Sequence, residues 1–130
     1  MNGNRYLLDT NIIIDFLQGR DNLKEKFSSA TYLGVPHIVT GELYYGAELS
    51  NNPIRNLKKI KGFLKSFEIL ASDDVTSTYY AKIKKQLKLE GNPIPENDIW
   101  IAALAWQYDL ILASNDKHLK LISNLSVEMW

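Results

Sequence analysis

Gly91-Asn92-Pro93-Ile94-Pro95-Glu96-Asn97-Asp98-Ile99-Trp100-Ile101-Ala102-Ala103-Leu104-Ala105-Trp106 ends in the longest apolar run of the chain. Gly91 and Pro93 close a preceding helical pattern, because glycine accepts a left-handed cap and proline cannot continue a helix. A new helix opens near Pro95, and from Ile99 to Trp106 it is apolar on every side. Such a helix has no face to give to solvent, so it is expected at the centre of the molecule. Asp98 falls in its first turn. An acid there complements the positive end of the helix dipole, an effect of about 0.3–1 kcal/mol. Glu96 or Asn97 beside it would serve that purpose at lower desolvation cost.

Outward from this helix, short apolar runs alternate with helical periods. Tyr6-Leu7-Leu8 reads as a buried strand that delivers Asp9 at its carboxyl end, and a helix follows until Gly19 stops it. A second short helix spans Leu23 to Ser29. Tyr32-Leu33-Gly34-Val35 reads as a strand ended by Pro36. Val39, Leu43 and Ala47 recur every four residues, which predicts a helix from Ile38 to about Leu49 that carries Glu42. Pro53 starts another helix that runs to Phe67. Glu68-Ile69-Leu70 is a third strand, and Asp73 and Asp74 mark the start of the helix bearing Tyr79, Tyr80, Ile83 and Leu87. Beyond the central helix, Leu110-Ile111-Leu112-Ala113 reads as a buried strand ending in Ser114-Asn115-Asp116. A helix is expected near Lys117, and a last strand over Ser126 to Met129. The alternation predicts an α/β fold with a mostly parallel sheet covered by helices on both faces.

Composition sets bounds and leaves function open. Apolar residues at 45% and charged ones at 23% of 130 positions are globular values, enough for one core. With no cysteine there is neither a disulfide framework nor a thiolate metal site, as suits a reducing cytoplasm. The first residues lack the apolar core of a signal peptide, and no apolar run approaches the ~20 residues that span a bilayer. A soluble, cytoplasmic protein without a membrane partner is expected. Fifteen basic and fifteen acidic residues cancel, so bulk charge does not advertise a nucleic-acid binder.

The acids carry the chemistry. Asp9 and Asp116 each stand just past the carboxyl end of a short apolar strand, and in parallel α/β sheets ligands bind in the crevice at those ends. Helices that follow strands begin on the same edge, where Glu42 and Asp98 would join them. Taken singly, Asp9 and Asp116 are ordinary helix caps, each contributing about 0.5–2 kcal/mol, and Glu42 belongs to a solvated helix face. Together, four carboxylates in one cleft repel and raise one another's pKa unless a cation offsets them. Their hard oxygens suit Mg²⁺ or Mn²⁺. Such a site is suited to phosphodiester hydrolysis, with the metal activating water and stabilising charge on the phosphate.

These residues resemble the PIN domain family, and within it the VapC-type toxins of toxin–antitoxin modules. Leu8-Asp9-Thr10-Asn11 is similar to the family's opening motif, and Val39-Thr40-Gly41-Glu42-Leu43-Tyr44-Tyr45-Gly46 to its second. Asp98-Ile99-Trp100-Ile101-Ala102-Ala103 is similar to the third, and Ser114-Asn115-Asp116-Lys117-His118-Leu119 to the fourth. The resemblance spans nearly the whole of residues 1–130. It implies a single PIN-like domain with a doubly wound parallel sheet, acting as a Mg²⁺- or Mn²⁺-dependent endoribonuclease. Asp9, Glu42, Asp98 and Asp116 would carry the metal chemistry, supported by Thr10, Asn11 and Ser114. It further implies a cognate VapB-type antitoxin, a homodimer, and structured RNA, often transfer RNA, as substrate. Ser114 stands where threonine is usual and keeps the hydroxyl; Leu119 stands where phenylalanine is common and bears on packing.

Other features have plainer readings. His118 beside Asp116, and His37, are expected in structural or surface roles. Lys58, Lys61 and Lys65 share one helix face and Lys82, Lys85 and Lys88 another; these are solvated faces or basic flanks for an RNA backbone. Trp100, Trp106, Tyr44, Tyr45, Tyr79 and Tyr80 could stack on unpaired bases, with core packing or a protein interface the expected use for most of them and Tyr44 or Tyr45, beside Glu42, at the edge of the cleft. Two rival functions remain. An aspartyl phosphatase needs a second aspartate two residues after the first, where this chain has Asn11. A non-catalytic RNA- or partner-binding module would keep the fold without cleavage.

Overall fold

The computed structural model describes residues 3–130. In chain order it contains β1 (Arg5–Leu8), α1 (Thr10–Leu17), α2 (Asn22–Ser29), β2 (Tyr32–Pro36), α3 (His37–Glu48) and α4 (Pro53–Leu64). There follow β3 (Glu68–Leu70), α5 (Asp74–Glu90), α6 (Glu96–Gln107), β4 (Ile111–Ser114), a 3-10 turn (Lys117–Leu121) and β5 (Val127–Met129). The sheet runs β3-β2-β1-β4-β5 with every neighbouring pair parallel. Its central strands are buried on both faces, with Leu7, Leu8, Val35 and Leu112 inaccessible to solvent, as the continuous apolar runs require. The two edge strands have three residues each, which leaves little unpaired backbone to attract another chain.

The chain leaves β1 on one side to build β2 and β3, then returns to build β4 and β5 on the other. The strand order therefore reverses between β1 and β4. There the carboxyl ends of two adjacent strands open a crevice, the ligand position of parallel α/β sheets.

The central helix is as its composition requires. In α6, Ile99 and every residue from Ile101 to Ala105 are buried, while Trp100 and Trp106 at the flanks are partly exposed. It packs on α5, where Tyr80 stacks on Trp100 (4.0 Å between centroids) and Tyr79 meets Trp106 edge-on (4.9 Å). Gly91 at φ +69° ends α5, its N–H bonded to the Lys88 carbonyl and that of Asn92 to Leu87. That pair of bonds is a Schellman close, for which glycine is suited. Asn52 caps α4 through the Arg55 N–H at 3.2 Å, with Pro53 in the first turn.

Three boundaries differ from expectation. The helix expected near Lys117 is one five-residue 3-10 turn, because buried Leu119 and Ile122 draw the chain straight back towards β5. Leu110 is not in β4; its N–H closes α6 by bonding to the Ala105 carbonyl at 2.9 Å, with Asp109 left-handed at φ 53°. The helix read through to Phe67 ends at Leu64, after which the Phe67 N–H turns back to the Leu64 carbonyl. No helix among the described residues is long and apolar enough to cross a membrane.

Candidate active site

Each acid reaches the crevice from a strand end or from a helix that begins beside one. The Asp9 N–H bonds to the Ala113 carbonyl (3.0 Å), which extends the β1–β4 pairing one residue past the strand and fixes the acid at the sheet edge. Its Oδ1 accepts from the Thr10 N–H (2.8 Å) and its Oδ2 from the Ser114 hydroxyl (2.7 Å). Ser114 Oγ in turn accepts from the Asp116 N–H at 3.0 Å. The Thr10 hydroxyl donates to Glu42 Oε1 on α3 (2.6 Å). Thr10 thus ties Asp9 to Glu42, and Ser114 ties Asp9 to Asp116. Asp98 enters from the first turn of α6 and is half-buried. The N-cap readings also hold, since Asp9 and Asp116 do cap their helices; cap and crevice are served by the same carboxylates.

Electrostatics report the same convergence. Burial first, then the charges of Asp9, Asp116 and Glu42, push the Asp98 carboxyl up from 3.8 to about 6. Asp9 is also raised, chiefly by burial, although its bonds from Ser114 and Thr10 favour the charged form. Asp116 departs from the expectation that every acid would rise: the His118 backbone N–H, assisted by the imidazole, holds it below its ordinary value. His118 Nδ1 lies 2.9 Å from Asp116 Oδ1 on an exposed ring, so the histidine expected to be a bystander touches the cluster. The signal available in the sequence was its spacing, two residues past an acid at a strand end, where a cap places the two together.

Among the described residues, no three acidic, imidazole or thiol groups stand as a ready-made metal cage. The donor chemistry nonetheless fits a hard divalent cation. It consists of carboxylate oxygens that raise one another's proton affinity, together with Asn11 in the first turn of α1, whose buried Oδ1 has no hydrogen-bond partner. All seven residues singled out from the sequence therefore lie at or next to the carboxyl ends of β1 and β4 or on the two helices that meet them. His37, by contrast, stands one strand further along, at the start of α3.

An acidic crevice at the switch point of a five-stranded parallel sheet, entered by acids from four chain segments, is the arrangement of one class of α/β domain. The chain belongs to the PIN domain family, whose family model matches residues 6–125. It is similar to Ribonuclease VapC2 of Haemophilus influenzae, with 38% identity over 97% of this chain and 98% of that protein. It is 30% identical to the tRNA(fMet)-specific endonuclease VapC of Shigella flexneri, over 97% of this chain and 98% of the other. In structure it resembles the DNA-bound VapBC of Salmonella typhimurium with a TM-score of 0.90 at 29% identity, covering 97% of this chain and 98% of that one.

Proposed function

We propose that this protein is a VapC-type endoribonuclease that hydrolyses phosphodiester bonds in structured RNA, with Mg²⁺ or Mn²⁺ as cofactor and a VapB-type antitoxin as its inhibitor. The observation that carries this reading is the gathering of Asp9, Glu42 and Asp116, tied together through Thr10 and Ser114, with Asp98 in one crevice, where burial and the other three acids push the Asp98 carboxyl up to about 6. Burying that much like charge is costly, and a cation or a phosphate-bound cation relieves it. When bound, a divalent cation supplies Lewis acidity and positive charge at the reacting phosphate.

The protein's own contribution is orientation and proton balance. Thr10 and Ser114 hold Asp9 and Glu42 in fixed rotamers, so these oxygens need no reordering when substrate arrives. Asp116 is kept ionised by the His118 N–H. Asp98, which burial and the neighbouring acids push up to about 6 with no cation bound, is the carboxyl whose charge a bound cation would restore. The exposed lysines Lys58 and Lys61 on α4 and Lys65 at its C-cap are proposed to hold the RNA backbone beside the crevice.

The names of the relatives support transfer RNA as the substrate class and a VapB chain as the partner; a cytoplasmic homodimer is part of the same proposal. The test is cleavage of a total transfer-RNA pool by protein freed of antitoxin, with Mg²⁺ or Mn²⁺ and then with chelator. Discrete fragments that vanish on chelation and in Asp98→Asn are expected. RNA that is bound but intact under every condition would replace the enzyme with a binding module.

A further inference from the structure

Leu7 of β1 pairs with Gly34 of β2, and Pro36 of β2 pairs with Leu70 of β3. Two residues beyond Leu7, Asp9 therefore stands level with Pro36 and Leu70. The residues that follow those two strands, His37 and Ile38 on one and Ala71 and Ser72 on the other, continue the edge on which the acids lie, at roughly 4.8 Å per strand. α6 begins on this edge as well. Its first turn brings Asp98 into the acidic crevice, while Trp100, two residues on and so turned to another side of the helix, shares a cavity wall with His37 and Ser72. The result is a cavity of about 290 Å³ lined by His37, Ile38, Ala71, Ser72 and Trp100.

This cavity differs in chemistry from the acidic crevice. No carboxylate lines it. Asp73, next in the chain, turns its side chain back to the Thr76 N–H (3.0 Å) and the Gln107 amide (3.2 Å). The Trp100 ring is braced, since Tyr80 stacks nearly parallel on it (14° between planes) while contributing nothing to the cavity wall. Tyr80 is anchored in turn by hydrogen bonds with Glu96 and Lys84. A braced aromatic ring, an exposed imidazole and a hydroxyl around a small opening match one ligand type: a flat, aromatic group with hydrogen-bonding edges.

We propose that this cavity is a base-binding subsite, in which an unpaired nucleobase of the bound RNA stacks on Trp100 and is met at its edge by His37 and Ser72. The inference rests on the ribonuclease reading for its ligand and adds the residues that would position it. Stacking on an indole tolerates any base, so Trp100 supplies affinity. The two polar side chains supply preference among bases.

The test uses the full chain in chelator, so that nothing is cleaved, with fluorescein-labelled octariboadenylate as the probe. Wild-type protein is expected to bind it with quenching of tryptophan emission. Trp100→Ala should weaken binding roughly tenfold, the usual scale for losing one stacked base, and Trp100→Phe by far less while abolishing most of the quench. An octamer carrying one abasic position near its centre should bind wild type more weakly and Trp100→Ala no differently. Circular dichroism melts of Trp100→Phe and of a Trp106→Phe control establish that folding is intact. Equal binding by wild type and Trp100→Ala, or no binding of the octamer by wild type, overturns the subsite. So does a Trp100→Ala loss that is blind to the abasic position and accompanied by a change in oligomeric size, which would make this face an interface between copies. Transfer-RNA cleavage by wild type and its loss in Asp98→Asn is scored separately, so the nuclease reading and the subsite fail by different results.

Discussion

Ser114 is inaccessible to solvent and has both of its hydrogen-bonding roles committed, donating to Asp9 and accepting from the Asp116 N–H. Ser114→Ala removes the one hydroxyl that reaches Asp9 Oδ2, and a buried group left short of its partner costs about 1–3 kcal/mol. Urea unfolding of the metal-free variant should show that loss, and the Asp9 carboxyl should titrate higher than in wild type. Asp98 has the opposite stability effect. Its folded-state pKa of about 6 lies above the ordinary 3.8, so between those values the folded protein binds more protons than the unfolded chain. Asp98 therefore makes the metal-free protein less stable as pH rises from 3.8 to about 6, and adds no further change above that. Asp9, also raised, adds to this trend, and Asp116, lowered, opposes it. Asp98→Asn should melt higher than wild type above neutrality, with the difference closing near pH 4. Mg²⁺ should then raise the melting temperature of wild type more than that of the variant. A variant that melts below wild type at every pH would remove the charge cluster as the cause.

At the scale of elements, Gly91 joins the helix that braces Trp100 to the segment that leads into α6. Its φ of +69° lies in the left-handed region, where a β-carbon is strained, although nothing lies within 4 Å of the place that carbon would occupy. Gly91→Ala is expected to cost about 1–2 kcal/mol and to leave transfer-RNA cleavage by the folded protein unchanged; differential scanning calorimetry beside a cleavage assay reads both. This glycine also marks what the sequence made legible. Gly91, Pro95 and the apolar run after Asp98 are local signals with local causes, and they placed the central helix within a residue. Asp9 and Asp116 were legible for the same reason, as acids at the ends of apolar strands. The bond between the Thr10 hydroxyl and Glu42 joins residues 32 apart, and the Tyr80–Trp100 stack joins two helices. Such pairings depend on how elements dock, which periodicity does not encode. The helix expected after Asp116 is present as a short 3-10 one, because its length is limited by the return to β5, a constraint of topology and not of propensity.

Across the whole molecule, fifteen positive and fifteen negative side chains cancel, yet they are not mixed evenly. Asp9, Glu42, Asp98 and Asp116 share one crevice, while Lys58, Lys61 and Lys65 are exposed along α4, which packs against the helix bearing Glu42. Lys61 Nζ lies 5.5 Å from the centre of the Tyr44 ring on the helix that bears Glu42, and Lys59 of α4 lines one cavity with Glu42, so a basic flank comes close to that acid. On the proposed function, a polyanion repelled by the crevice would be held at its rim, and a divalent cation would remove the repulsion at the centre. Each lysine–phosphate contact releases counterions and adds about 0.7–0.9 to the slope of log K against log salt. Replacing Lys58, Lys61 and Lys65 together by alanine should therefore flatten that slope by roughly 2 for a transfer-RNA pool bound in chelator. The fold should be untouched, because exposed lysines contribute little to stability. With Mg²⁺ present, the loss should appear in KM more than in kcat, since phosphate contacts far from the reacting bond bind ground and transition state alike. A slope unchanged by the triple variant would put the RNA on the other flank, and the same measurement on Lys82, Lys85 and Lys88 of α5 would then show the flattening.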